Sequence, residues 1–276
     1  KSITLRSPSL EFNQIQQVAY FTQGGTITDG KNTLISQRGS YHSPSQMFKF
    51  KDSVRVHNEE YTMVSDTLWY NSGNKTATFL GPSTITSDSL IINASKGWFN
   101  TQSNKALFLN RPEVSFSPNL LYADSILYNR NKGIVNAFKN IELKDTSNFI
   151  WAYGNLAWVN QFDEKAYITK EPYAKFYVNP DTLFLRADTI FANNNPEEIK
   201  AFNKVKFFMK DIQGKCDSLA YDKPTGELRL FHQPFIWTQG YQLSSKKMRA
   251  TLAEQRLDKW YLDEESFIVS PSNDST

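Results

Sequence analysis

The feature that most constrains this chain is a repeat. The segment Asp66-Thr67-Leu68-Trp69-Tyr70-Asn71 returns as Asp124-Ser125-Ile126-Leu127-Tyr128-Asn129 and as Asp217-Ser218-Leu219-Ala220-Tyr221-Asp222. Weaker copies fill the gaps, and the anchor positions fall at 12, 41, 70, 99, 128, 158, 192 and 221. The steps are 29, 29, 29, 29, 30, 34 and 29 residues. A period of this length is the signature of a stacked architecture, in which no single copy can bury its apolar face alone.

Other positions keep the same phase. Seven and nine residues after the anchors come pairs such as Phe48 and Phe50, Ala77 and Phe79, Ala106 and Phe108, and Leu228 and Leu230. After Trp158 the pair is displaced by one residue, to Ala166 and Ile168. Fifteen residues after the anchors stand Ile27, Val56, Ile85, Val114, Leu143, Tyr173, Phe207 and Ile236. Apolar residues two apart put one face of a strand against a core and the other toward solvent. Runs such as Asn71-Ser72-Gly73-Asn74 and Asp222-Lys223-Pro224-Thr225-Gly226 supply turn chemistry. Each copy therefore reads as a strand, a tight turn and a second strand, and the whole as an all-β stack of antiparallel strands. Only Ser245 to Arg256, with Met248 and Leu252 four apart, is ambiguous between helix and strand.

Composition enters as a set of exclusions. With 31 basic and 28 acidic side chains interspersed, the net charge of +3 forms no nucleic-acid stripe. A lone cysteine, Cys216, allows no internal disulfide and reads as a buried structural residue. No run approaches the roughly 18 apolar residues of a membrane-spanning helix. The opening Lys1-Ser2-Ile3-Thr4 has no apolar signal core, so an export signal is expected to have been removed.

Catalytic chemistry finds no constellation. Asp66, Asp124, Asp188 and Asp217 form a ladder of carboxylates, but they start equivalent strands in different copies, so repetition accounts for them. His42, His57 and His232 are scattered without metal-ligand spacing, and Gly24-Gly25 is a turn with no phosphate-loop pattern after it. The reading is of a non-enzyme without cofactor or metal.

Two interiors remain open on the residues alone. The stack is filled by its own side chains, or its layers splay and leave an elongated apolar slot. The units Ala123-Asp124-Ser125-Ile126-Leu127-Tyr128-Asn129 and Ala137-Phe138-Lys139-Asn140-Ile141-Glu142-Leu143 resemble the A-D-x-I/L-x-Y … A-x-G-N-V repeat of the OstA-like/LptA family of periplasmic lipopolysaccharide-transport proteins. Gly214-Lys215-Cys216-Asp217-Ser218-Leu219-Ala220-Tyr221 and Gln233-Pro234-Phe235-Ile236-Trp237 resemble its longer Bacteroidota version. The resemblance spans residues 10 to 262, departing at Asn140, where glycine is usual, and in the insertion Asn193 to Glu197.

That resemblance implies a V-shaped β-taco, or β-jellyroll, built from ~29-residue repeats. It implies a single continuous domain over residues 1–270, with about eight to nine repeats, and a polar tail at 271–276. The implied activity is that of a bridge, periplasmic or outer-membrane associated, that shields the acyl chains of lipopolysaccharide or a related acylated glycolipid. The expected lipid-binding residues are Leu68, Tyr70, Phe79, Ile85, Phe99, Phe108, Val114, Ile126, Tyr128, Leu143, Ile190, Phe207, Leu219 and Tyr221. Partners are other envelope transport proteins or a second copy, joined end to end by strand addition at residues 10 to 21 and 257 to 269, and no nucleic acid. The alternative is a filled β-solenoid serving as a carbohydrate-binding or adhesin-type module. An outer-membrane barrel is disfavoured by polar strands and by the interruptions Gly81-Pro82 and Arg111-Pro112.

Overall fold

The structure, a computed structural model, describes residues 3–28, 30–178, 181–253 and 256–270. The polar tail expected at 271–276 lies outside the described residues. Among those described, regular structure is antiparallel strand apart from one short 3-10 turn at Arg130–Lys132. The chain divides into two compact units, Lys1–Ile134 and Val135–Thr276.

In the first unit, four long strands pair in succession: Met47–His57, Thr62–Asn71, Thr76–Thr86 and Ile91–Asn100. Each ladder breaks register midway, between Lys51 and Val54, Ser65 and Thr67, or Ala94 and Lys96. The backbone there enters the left-handed region, with φ of 65° and 55° at Asp52 and Ser53 and 87° at Gly81. Such bulges bend a strand sharply. Where the ladder stops altogether, the same device recurs at Asn110 and Arg111, φ 64° and 59°, followed by the fully buried Pro112. Every strand path thus turns from a first layer into a second. Each copy holds two hairpins, one per layer, with turns at residues 72–75 and 87–90 in the copy of Tyr70. The single hairpin read from sequence was half of the unit, because polar pairs such as Asp52-Ser53 do not announce a bend.

The second unit repeats the scheme. Left-handed pairs stand at Lys139 and Asn140, Lys170 and Glu171, Asn203 and Lys204, and His232 and Gln233. Asn140 takes the usual place of glycine with φ 48°, a conformation that asparagine tolerates better than most side chains. The expected insertion at Asn193 to Glu197 is not there: Ala192 pairs with Ile199 seven residues on, as Tyr70 pairs with Ala77, and the extra residues of this copy fall between Ala174 and Leu185, which are 11 apart where Val114 and Leu121 are 7 apart. The ambiguous Ser245 to Arg256 segment contains the strand Lys247–Ala253, with Met248 between Leu230 and Leu262. A strand follows from burial on alternate residues, Met248 and Ala250 both being buried.

One copy reads differently from its sequence. Val159 faces Ala166 and Ala157 faces Ile168, so Trp158 points to the opposite side, where its ring stacks on Tyr167 at 5.3 Å. The inner anchor is Val159, and the residue fifteen on is the buried Ala174 instead of the exposed Tyr173. The steps become 128 to 159 and 159 to 192, or 31 and 33 residues. A one-residue slip moves every side chain of a strand to the other face.

At the bends runs a file of small buried residues: Ser36, Ser65, Ala123, Ala187, Cys216 and Ser245. The hydroxyls of Ser36, Ser65 and Ser245 donate to the carbonyls of Arg38, Thr67 and Lys247, 3.2, 3.1 and 2.6 Å away. Serine thereby satisfies a carbonyl freed by the bulge without needing volume. Cys216 occupies the same file, and burial, helped by the charge of Asp217, pushes its thiol up to about 12.

Candidate functional site

The inner face of each unit is apolar in both layers, and its exposure is graded. Beside the bend the first-layer file runs Gly39, Phe50, Leu68, Phe79, Gly97, Phe108 and Ile126 across adjacent strands. Phe50, Leu68, Phe79, Phe108 and Ile126 are 1–2 % exposed. Large and small alternate by direct contact. A Cβ on Gly97 would lie 2.5 Å from the ring of Phe79 and 2.4 Å from the carbonyl of Leu107, so the ring occupies the space a side chain would need. Gly214 bears the same relation to Phe207 in the second unit. Such complementarity leaves no room for a side chain at either glycine.

Toward the hairpin turns the inner positions open. Tyr70 opposes Ala77, Phe99 lies between Ala77 and Ala106, and Tyr128 opposes Ala106. Tyr70, Phe99 and Tyr128 are half-buried. The second layer behaves alike: Met63, Ile92 and Leu121 are buried beside the bend, while Tyr61 and Leu90 are half-buried nearer the turns. Burial raises the phenol pKa of Tyr128 above its ordinary value, against the opposing charge of Arg130. Tyr221, the second unit's equivalent, is raised by burial too.

The fourteen residues expected to contact lipid fall into two groups on this gradient. Leu68, Phe79, Phe108, Val114 and Ile126 in the first unit, and Ile190, Phe207 and Leu219 in the second, are buried at the floor. Tyr70, Phe99, Tyr128 and Tyr221 are half-buried along the walls, while Ile85 and Leu143, in the phase of Val114, are half-buried at the depth of the floor. Val114 meets Ile92 and Leu121, and Ile85 meets Met63 and Ile92. In the second unit Ile190 lies between Ile168 and Ala201, Leu219 between Ala201 and Leu230, and Phe207 between Leu185 and Gly214.

Wall residues absent from that set are Tyr61, Leu90, Ile150 and Leu183. They stand nine residues before the inner anchors Tyr70, Phe99, Val159 and Ala192, a phase that carries its own signal.

The two layers also meet at their outer ends. Glu60, in a second-layer turn, pairs with Arg130, in a first-layer turn, at 2.5 Å, and Tyr61 meets Phe99 edge to face at 6.0 Å. In the second unit Lys223 donates to the Asn148 side-chain oxygen at 2.9 Å across the same gap and pairs with Glu197 at 2.7 Å. Each unit therefore has a sealed floor, half-open apolar walls and polar contacts across the rim.

Polar chemistry does not converge. Asp66 and Asp217 accept hydrogen bonds from neighbouring Thr67 and Ser218, Asp124 lies 4.0 Å from Arg111, and Asp188 lies 3.4 Å from Lys204. All four sit at bends of different copies. Among the described residues no three His, Cys, Asp or Glu side chains are placed to share a metal ion. No helix there is long and apolar enough to cross a membrane.

Comparison with known proteins adds a family. The OstA-like protein family matches residues 1–66. No curated protein matches the chain. Among solved structures, the chain is similar to LptH of Pseudomonas aeruginosa, described as the LptA-homologous periplasmic component of the conserved lipopolysaccharide transport device. The identity is 16 %, the match covers 38 % of this chain and 76 % of that one, and the TM-score is 0.36.

Proposed function

We propose that this OstA-like chain is a periplasmic lipid carrier or bridge that shelters the acyl chains of a lipopolysaccharide-type glycolipid between its two layers, without performing chemistry. The observation that carries this reading is the graded exposure of the inner faces. A core filled by its own side chains is buried throughout, whereas here Tyr70, Phe99 and Tyr128 on one wall and Tyr61 and Leu90 on the other are only half-buried, although Phe48, Ala106 and Ile212 at the same depth are buried. An alkyl chain lying along the walls removes apolar surface from water at about 25 cal/mol per Å². It asks for no hydrogen bonds in return. The sugar and phosphate headgroup stays outside, where polar turns and solvent receive it.

Strand addition is part of the proposal. Among the described residues, Glu11–Asn13 pairs only with Val18–Phe21, and Phe267–Val269 only with Tyr241–Ser244. Phe12, Phe267 and Ile268 are 60–63 % exposed at these edges. Unpaired backbone groups beside exposed apolar residues favour augmentation by another strand.

A packed solenoid is favoured by one observation, the nearly complete burial of the floor residues. Native mass spectrometry of protein purified from envelope extracts separates the two. The carrier reading expects a bound acylated glycolipid of defined mass; a bare-chain mass under conditions that preserve lipid complexes sinks it.

A further inference from the structure

The outer face of the second layer in the second unit is unlike a solvated sheet surface. The strands Tyr173–Val178, Asp181–Arg186, Glu197–Met209, Ile212–Asp222 and Phe235–Thr238 lie side by side there. Their outward positions form an open hollow of about 470 Å³ walled by Tyr173, Phe184, Phe208 and Trp237. That volume falls within the ~300–1,000 Å³ of small-ligand sites. Arg186, Lys206 and Lys215 also line it, and no carboxylate does.

The three cations are direct cross-strand neighbours, Arg186 opposite Lys206 and Lys206 opposite Lys215. Like charges at such positions repel and destabilise the sheet. Nearby Lys200 and Lys204 are neutralised by Glu198 and Asp188, yet among the described residues no salt bridge reaches these three. The flanking rings are held in place: Tyr153 stacks on Tyr173 at 4.5 Å, and the Trp237 indole N–H donates to Gln242 at 3.1 Å. Lys175 lies 5.9 Å over Phe184, and Lys215 lies 5.0 Å over Phe235 and 5.8 Å over Trp237.

We propose that this hollow binds an acidic saccharide. Flat, fixed aromatic rings suit the C–H faces of pyranose units, and the row of cations suits the carboxylates or phosphates such sugars carry. A lipid surface is a poorer fit, because Tyr173 and Trp237 are held by stacking and hydrogen bonding at the margin of a hollow, although Phe184 and Phe208 are exposed. The site is on the opposite face of the sheet from the lipid-lined walls, so it stands or falls separately from the carrier reading.

The test is calorimetric titration of the full chain at low and physiological salt with three probes: hexagalacturonate, neutral cellohexaose and phosphatidylglycerol vesicles. Hexagalacturonate is expected to bind at least tenfold more tightly than cellohexaose, and to weaken as salt screens the cations. Lys206→Gln should reduce its affinity about tenfold, Phe208→Ala about fivefold, and Lys206→Arg should restore it. Because Lys206→Gln relieves repulsion, its thermal midpoint should equal or exceed that of the parent, which separates lost binding from lost folding. Equal affinity for the acidic and neutral sugars overturns the proposal, as does unchanged binding in both variants. Vesicle binding that depends on Phe208 and is not displaced by hexagalacturonate would assign the face to a membrane and overturn it as well.

Discussion

Phe108→Ala and Phe99→Ala remove the same ring from adjacent strands, and the depth gradient predicts that they act on different properties. Phe108 is 2 % exposed on the floor, its ring 6.2 Å from that of Phe79, with Ile126 opposite on the next strand. Truncating a fully buried phenylalanine costs about 3–5 kcal/mol. For a unit of this size that corresponds to a fall in thermal midpoint of roughly 10–20 °C. Phe99 is half-buried on the wall, between Ala77 and Ala106. Less completely buried, it should cost less on removal, about 2–4 kcal/mol. On the carrier reading, a bound alkyl chain would reach Phe99 and not Phe108. Displacement of a fluorescent fatty acid such as cis-parinaric acid should show affinity reduced about tenfold by Phe99→Ala, equivalent to ~1.4 kcal/mol, and less than threefold by Phe108→Ala. Urea unfolding of both variants fixes the stability side. If Phe108→Ala lost the probe while Phe99→Ala retained it, or if both lost stability equally, the separation of floor from wall would be wrong.

Gly97→Ala must push the Phe79 ring and the Leu107 carbonyl apart, and overpacking of this kind should lower stability by about 1–3 kcal/mol in denaturant titration. The Cys216 thiol, raised by burial to about 12, should be inert to a disulfide reagent in the native protein at pH 8 and react once the chain is unfolded. Since its folded pKa lies above the unfolded value, its contribution is complete below about pH 8.5 and is lost as pH rises toward 12, so Cys216→Ser should flatten the alkaline limb of the stability profile. Glu60→Gln loosens the rim pair with Arg130. It should change stability by no more than ~1 kcal/mol while speeding probe uptake in stopped flow; unchanged uptake would mean that the rim contact does not gate access.

Much of this architecture could be read from the chain because its signals were periodic. The anchors with their partners seven and nine residues on define the first-layer hairpin, and the residues fifteen on lie in the second layer, as Val114 and Leu143 do. The second hairpin was equally periodic: Met63, Ile92, Leu121 and Leu185 stand seven residues before the inner anchors. It escaped notice because the bends that separate the layers are made by polar pairs such as Asn110-Arg111 and Asn203-Lys204, whose left-handed backbone has no composition signature. The copy Leu156-Ala157-Trp158-Val159 suggests Trp158 as its anchor, and only ladder register reveals that Val159 faces inward. Depth along the wall was not legible at all. Whether Phe99 or Phe108 is exposed depends on distance from a bend, which the sequence marks only once the bend is known.

The second-layer hairpins also bear on how such a chain can change over generations. The copies of 31 and 33 residues carry their extra residues there, between Leu143 and Ala152 and between Ala174 and Leu185, without shifting the first-layer ladders on either side. Contacts run mainly between adjacent copies, which makes the energetics close to one-dimensional. Duplication or loss of a whole copy is then the mildest large mutation open to this gene. Lineages should differ in copy number, and hence in the span of the stack, far more readily than in the cross-section of any one copy.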